Sequence, residues 1–434
     1  MVGSGVMAYV ERRLATGVSS LLADEPVVVV QGPRTVGKSV LLAQLAGRLG
    51  VAVLDLDDPA SAEAVAADPA LFARGPAPVV VDEYQRVPEL LGAIKAELNR
   101  DLRPGRFVLA GSTRSDAVPE LSAHLAGRVH LLSLFPFSEG EIDGVSEDLV
   151  ETLVFGDPAG VVGPARVGAP REDYIARAVR GGFPIAVARR SEAARQRWFG
   201  DYVVTVLERD VAGLAQLRQR EQLPRLLRHL ASRTGQLLNV TAAAEAAGLD
   251  RGTAAGYLAL LEAVFLVRVL PAWGTTLRRR TSTAPKVHVV DSGLAAQLLG
   301  LSAARLARAD PAAMSELSHL LQTFVVGEVA KQVSFAEDTV RMGHWRSYDG
   351  EEVDLILERA DGAVVAIEVK AGSRVRDGDL APLRTLREHV GEAFLAGVVL
   401  HTGAHGYRAG DRLLVLPIDS LWTPVGAGTP AGEG

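Results

Sequence analysis

The chain has no cysteine among its 434 residues, which excludes disulfides and cysteine-ligated zinc or iron–sulfur centres. Lysine is nearly as scarce. Only Lys38, Lys95, Lys286, Lys331 and Lys370 occur, so almost all of the positive charge is arginine. No apolar run reaches the ~20 residues that cross a bilayer, and no basic segment with an apolar core behind it opens the chain. No membrane association is expected, and a cytoplasmic location is. The 48% apolar content supports packed cores, and the length implies two or three domains.

Charge is unevenly spread. The formal net charge is −6, but Arg171 to Val290 holds nineteen basic against ten acidic residues, a local +9 that leaves −15 elsewhere. A nucleic acid would be drawn first to that middle stretch.

The best-defined motif is Gly32-Pro33-Arg34-Thr35-Val36-Gly37-Lys38-Ser39, followed by Val40. It follows the strand-like run Val27 to Val30 and precedes helical spacing through Leu41, Leu42 and Leu45, the setting a phosphate-binding loop requires. Gly32 and Gly37 allow the backbone N–H groups to wrap a phosphate, and the helix start adds its partial positive charge. Lys38 is expected to reach the terminal phosphates, and the Ser39 hydroxyl to meet the Mg²⁺ that accompanies them.

Four further strand-like segments follow: 51–56, 78–81, 106–110 and 128–134. Helix-like or turn-like sequence separates them, which describes a parallel sheet. The second ends in Asp82-Glu83, a Walker B pattern in which Asp82 supports the metal and Glu83 prepares the attacking water. Ser112, after Phe107 to Gly111, falls at the strand ends where ligands bind in open α/β sheets, and could read the γ-phosphate. Arg128 is a candidate charge-stabilising arginine.

Taken with Leu54-Asp55-Leu56-Asp57-Asp58-Pro59, Asp82-Glu83-Tyr84-Gln85-Arg86-Val87-Pro88, Leu109-Ala110-Gly111-Ser112 and Leu125-Ala126-Gly127-Arg128, the cradle resembles the prokaryotic AAA-type ATPases that carry a C-terminal DUF4143 domain. The resemblance spans nearly the whole chain. Members usually have Thr where Ser39 stands and Ile where Tyr84 stands, changes that keep the metal hydroxyl and both acids. It implies ATP binding and hydrolysis with Mg²⁺.

Residues 141–170 are rich in Gly, Pro and Asp and read as a linker. Beyond Leu223 the spacing predicts helices over 223–232, 241–247 and 251–261, then strands over 265–270 and 285–290. That order describes a winged helix, which reads duplex DNA with its last helix in the major groove. Arg251, Thr253 and Tyr257 would face the groove, and Arg278, Arg279 and Arg280 would hold phosphates. The alternative is an interdomain adaptor.

In the last third, Asp354 and the strand Ala363 to Val369 followed by Lys370 resemble the PD-(D/E)XK restriction-endonuclease core. Glu368 and Lys370 share a strand face. Asp354 and Glu368 would hold Mg²⁺, Lys370 would position or deprotonate water, and Glu328 matches the acid that such folds carry on a preceding helix. Val353 stands where the usual proline would.

The expected architecture is α/β: a P-loop AAA-type parallel-sheet domain at 1–140, a linker at 141–170, a helical and winged-helix domain at 171–290, a restriction-endonuclease-like α/β domain at 291–422 and a disordered tail at 423–434. The expected function is ATP hydrolysis coupled to DNA binding and to Mg²⁺-dependent DNA cleavage. A non-cleaving regulatory switch and a defence or toxin module stand as alternatives, and homo-oligomer formation is left open.

Overall fold

The computed structural model describes residues 10–425 apart from 163–167, 216–217, 277–282, 309 and 337. Its first sheet is built from β1 (Val27–Gln31), β2 (Val53–Asp55), β3 (Val79–Asp82), β4 (Phe107–Gly111) and β5 (Val129–Ser133), in the order β2-β3-β4-β1-β5. All neighbours are parallel. The central strands are apolar throughout because both faces are covered, and alternate residues enter different cores. Val27, Val29, Val79, Val81, Phe107 and Leu109 pack on one side. Val28, Val30, Val80, Val108 and Ala110 pack on the other, in a core that continues into the rest of the chain.

Much of the described part of the stretch read as a linker is structured. It holds the end of a helix at Glu139–Asp143, closed by a Ser138/Glu141 capping box, and a helix at Leu149–Val154 with Leu149, Val150, Leu153 and Val154 buried. Its polar composition reflects caps and turns between short buried helices.

The middle unit begins with helices Arg171–Arg180 and Glu192–Thr205, the latter running into a π-helical turn at Val206–Val211. It continues with helix Leu223–Ser232, β6 (Gln236–Leu237), helices Val240–Ala247 and Arg251–Ala263, β7 (Val267–Leu270) and β8 (Lys286–Val289). These strands form an antiparallel sheet in the order β6-β8-β7.

Helix Ser292–Leu299 precedes the long helix Pro311–Phe335, which lies under the second sheet. That sheet contains β9 (Val340–Arg346), β10 (Glu352–Arg359), β11 (Val364–Lys370), β12 (Phe394–His401), β13 (Tyr407–Gly410) and β14 (Leu413–Pro417), ordered β13-β14-β12-β11-β10-β9. β9, β10 and β11 form an antiparallel meander, and β12 returns parallel to β11 through helix Ala381–Val390. Leu355, Leu357, Val365 and Ile367 enter the same continuous core as the first sheet, so one apolar body joins all three units. Among the described residues no helix is long and apolar enough to cross a membrane.

Candidate functional site

The cradle sits where β1 gives way to helix Lys38–Leu49, at the carboxyl edge of the first sheet. Gly32 lies against the Leu134 carbonyl so closely that a Cβ would stand 2.1 Å from its oxygen, which admits only glycine. Gly37 takes φ +97°, open to glycine without strain, and Thr35 is also left-handed at φ 65°. Behind the loop, Arg12 is buried and donates to the carbonyls of Val36 (2.6 Å) and Phe135 (2.7 Å), while its Nε meets Glu141 at 3.0 Å. Nothing in the sequence around Arg12 signals this anchoring role.

Lys38 is buried and folds back on its own loop, its Nζ donating to the carbonyls of Gly32 and Pro33 at 2.9 Å each. Burial lowers its pKa, and the nearby charges of Glu83 and Asp82 oppose that shift. An anionic ligand would complete what those acids begin. Ser39 hydrogen-bonds Asp82, whose carboxyl is raised chiefly by burial. A hydroxyl and a carboxylate side by side form a donor set suited to Mg²⁺. Val40, at the outer face of the helix, is half-exposed.

Glu83 holds a left-handed backbone at φ 52°, an unfavourable conformation for a side chain with a Cβ and a mark of functional constraint. One carboxylate oxygen, Oε2, accepts from the Ser112 hydroxyl at 3.0 Å and from the Gln85 amide, and Gln85 also reaches Ser112 at 3.3 Å. A Cβ at Gly111 would stand 2.7 Å from the Gln85 side chain, so this glycine lets Gln85 approach. Ser112 therefore holds the Glu83 carboxylate. Arg128 is a correction: it precedes the amino end of β5, about 16 Å of strand away from the cradle edge. Its guanidinium binds Asn99 instead, at 2.7 Å.

In the C-terminal unit, Asp354, Glu368 and Lys370 do converge. A register shift in β10 between Val353 and Ile356 marks the place where Asp354 sits. Every carboxylate oxygen of the pair is already engaged by protein. Asp354 Oδ1 accepts from Lys286 Nζ at 3.0 Å and from the Gln322 amide, and Oδ2 accepts from Val369 N at 3.0 Å. Glu368 Oε2 accepts from Asp354 N at 3.3 Å, and Oε1 lies 2.9 Å from Lys370 Nζ. Lys286, fully buried on β8, also meets Glu352 at 2.5 Å. Burial opposes the Lys286 charge, but Asp354 and Glu352 outweigh it and raise the pKa. A divalent ion does not fit beside an ammonium group so placed. Among the described residues, no group of three or more His, Asp or Glu is arranged to hold a metal.

Glu328 corrects the expected acid set. It lies six residues beyond Gln322, roughly 9 Å along the helix and on another face. There it accepts from Lys331 at 2.5 Å and from Glu139 N at 2.9 Å, tying the long helix to the first unit. Gln322 takes the place beside Asp354 instead.

Glu368 is raised to about 8 by burial and by the Asp354 charge. Relative to an unfolded carboxyl near 4.3, this group's contribution to stability is full below about pH 4.3 and lost as pH climbs toward 8. The stability difference between Glu368→Gln and wild type should therefore move in the variant's favour from pH 5 to pH 8 and then level off. Urea unfolding across that range checks it, and a constant difference would mean Glu368 is not held protonated.

The expected groove-facing set is only partly exposed. Arg251 is exposed, but Tyr257 is buried with its hydroxyl accepting from Gln219 N at 3.1 Å, and Thr253 bonds to the helix cap Asp250 at 2.9 Å through its amide. The exposed face of helix Arg251–Ala263 otherwise carries Gly252, Ala255, Gly256 and Ala259. Arg278, Arg279 and Arg280 lie outside the described residues, as do 426–434 of the expected tail.

The parallel order with β1 between β4 and β5, the cradle and the Asp82-Glu83 strand end together give the first unit a P-loop ATPase fold. Sequence comparison agrees: the chain carries an AAA domain at 24–143 and a domain of unknown function, DUF4143, at 317–421. A second such domain, DUF8612, matches 171–305. Similar curated proteins are Uncharacterized protein Rv2008c of Mycobacterium tuberculosis and Uncharacterized protein Mb2031c of Mycobacterium bovis. Each is 26% identical over 417 residues, covering 95% of this chain and 85% of the relative. Among solved structures, a Walker-type ATPase of Pyrococcus abyssi is 14% identical with a TM-score of 0.40, covering 67% of this chain and 96% of its own. The Thermotoga maritima RuvB Holliday junction branch migration motor is 19% identical with a TM-score of 0.28, covering 60% and 90%.

Proposed function

We propose that the chain is an ATP-driven conformational switch whose C-terminal unit does not cleave DNA. The observation that carries this reading is the Lys286 ammonium on Asp354, in a cluster where all four carboxylate oxygens of Asp354 and Glu368 are taken. The helix, three-strand meander, helix and parallel strand of this unit run in the order expected of a restriction-endonuclease-like core, which supports that resemblance. The chemistry of its acids does not follow. Lys286 comes from the middle unit, so the pair acts as an ionic lock between two units.

In the ATPase unit, the cradle amides and Lys38 bind the β- and γ-phosphates, Lys38 exchanging the Gly32 and Pro33 carbonyls for phosphate oxygens. Ser39 and Asp82 would hold Mg²⁺, which supplies neutralisation of phosphate charge. Glu83 takes a proton as water attacks the γ-phosphorus and the bond to the bridging oxygen of ADP breaks. Ser112 and Gln85 keep its carboxylate in place.

Duplex DNA is the partner this reading favours, bound through phosphates. Helix Leu223–Ser232 exposes Arg225 and Arg228, with Arg233 just beyond it, and Arg251 is exposed at the start of helix Arg251–Ala263, whereas the face expected to read bases is glycine and alanine. Supercoiled and linear DNA incubated with the full chain, ATP and Mg²⁺ or Mn²⁺ should remain intact, while hydrogen exchange of the middle unit should differ between ATP and ADP. Metal-dependent cleavage, lost in Asp354→Asn, would overturn the switch reading.

A further inference from the structure

Arg34 is the third residue of the cradle, yet its side chain leaves the loop for the middle unit. Its Nε lies 2.9 Å from Asp210 Oδ2 and its Nη2 lies 2.8 Å from Oδ1, a two-pronged pair. Asp210 belongs to the π-helical turn Val206–Val211, a wide turn of the kind that recurs at functional sites. Both side chains are largely shielded from solvent, at 17% and 9% exposure, so salt screens the pair weakly.

The pair also sits at the phosphate end of the cradle. Glu83 stabilises the Arg34 charge, and both Arg34 and Asp210 act electrostatically on Lys38. Asp57, just after β2, lies 3.9 Å from Arg34, 2.8 Å from Arg86 and 3.9 Å from Arg209, so charge runs continuously from the strand ends of the ATPase sheet to the π turn. In helix Glu192–Thr205, just before the turn, the buried Tyr202 hydroxyl has no hydrogen-bond partner among the described residues. The helix leading into the turn thus carries a polar group unsatisfied in this packing.

A triphosphate on Gly32 to Lys38 brings negative charge against an arginine already held by a carboxylate. We propose that Asp210 is a positioning residue for nucleotide: it holds Arg34 away from the cradle, and the γ-phosphate competes for Arg34, so that ATP loosens the π turn from the ATPase unit and ADP does so less. This deepens the switch reading and rests on it. The coupling must be reciprocal, since whatever ATP loses in breaking the pair is regained when the pair is absent.

The test uses the full chain with Asp210→Asn, Asp210→Glu and wild type, measuring affinity for a fluorescent ATP analogue and its ADP counterpart, KM and kcat, and hydrogen exchange of 206–214. Asp210→Asn should tighten ATP binding by about 5-fold or more relative to ADP, lower KM more than it changes kcat, and make exchange at 206–214 independent of nucleotide. Asp210→Glu should restore the wild-type ratio. Equal effects on ATP and ADP, or an unchanged ratio with nucleotide-dependent exchange retained, would overturn the proposal while leaving ATP binding intact. Failure of the wild type to bind ATP would instead sink the switch reading itself.

Discussion

Lys38→Ala is expected to weaken ATP binding by about 10- to 100-fold, whereas Glu83→Gln should bind ATP within a few-fold of wild type and hydrolyse it about 10²- to 10⁴-fold more slowly. The two residues lie close enough to interact electrostatically, but they act at different stages. Lys38 has been buried against two carbonyls that any competing phosphate must displace, so the ammonium is desolvated before ligand arrives and its removal costs binding directly. Glu83 keeps its left-handed backbone and its Ser112 contact whether or not it carries charge, because the glutamine side chain retains an acceptor oxygen. Only proton uptake is lost. Isothermal titration with ATP and a phosphate-release assay separate the two effects. Equal hydrolysis by wild type and Glu83→Gln would remove Glu83 from its role.

The first sheet was legible because each strand is a short apolar run ending in chemistry. Val27 to Val30 leads into the cradle, Pro78 to Val81 into Asp82, and Phe107 to Ala110 into Gly111-Ser112. Burial on both faces forces such runs, and turn residues mark their ends. Helices Leu223–Ser232, Val240–Ala247 and Arg251–Ala263 were legible through their spacing and the break at Gly248, but the residue pair β6 carries too little pattern to be read.

Side-chain roles were less legible wherever the partner is remote in sequence. Ser112 could be placed at the sheet edge, but its bond to Glu83 spans 29 positions. Glu328 looked like a ligand because an acid on a preceding helix fits a short motif. Helical geometry instead turns Gln322 toward Asp354, and only the register of the long helix against β10 decides between them. Asp210 gave no signal beyond one more acid in a helical run, since its partner Arg34 lies 176 positions earlier. The scarcity of lysine was the one clue to Lys286. Arginine carries nearly all the positive charge, so a lone lysine in a strand is more readily explained by a particular buried contact.

Lys286→Met should destabilise the protein by about 3–5 kcal/mol, because it strands buried carboxylates without their counter-charge while nearly preserving side-chain volume. The loss falls chiefly on Asp354, which keeps the Val369 amide and Gln322 as donors but has no full positive charge at Oδ1. Lys370 cannot substitute, being engaged with Glu368 at 2.9 Å and lying 3.5 Å from Asp379. An unpaired buried carboxylate is raised in pKa, so its stability contribution is present at low pH and lost as pH rises. The deficit of the variant should accordingly shrink as pH falls from 7 toward 4. Adding Asp354→Asn removes the stranded charge, and the double variant should recover a substantial part of the loss; Lys370→Met, at a partly exposed position, should cost far less than Lys286→Met. Urea unfolding of the four proteins at pH 7 and pH 5 measures each term. Mn²⁺ is the discriminating addition: restored stability in Lys286→Met, with no effect on wild type, would mean that the lysine excludes a metal the acids can still bind. A variant as stable as wild type would show that the Lys286 charge does not hold the middle and C-terminal units together.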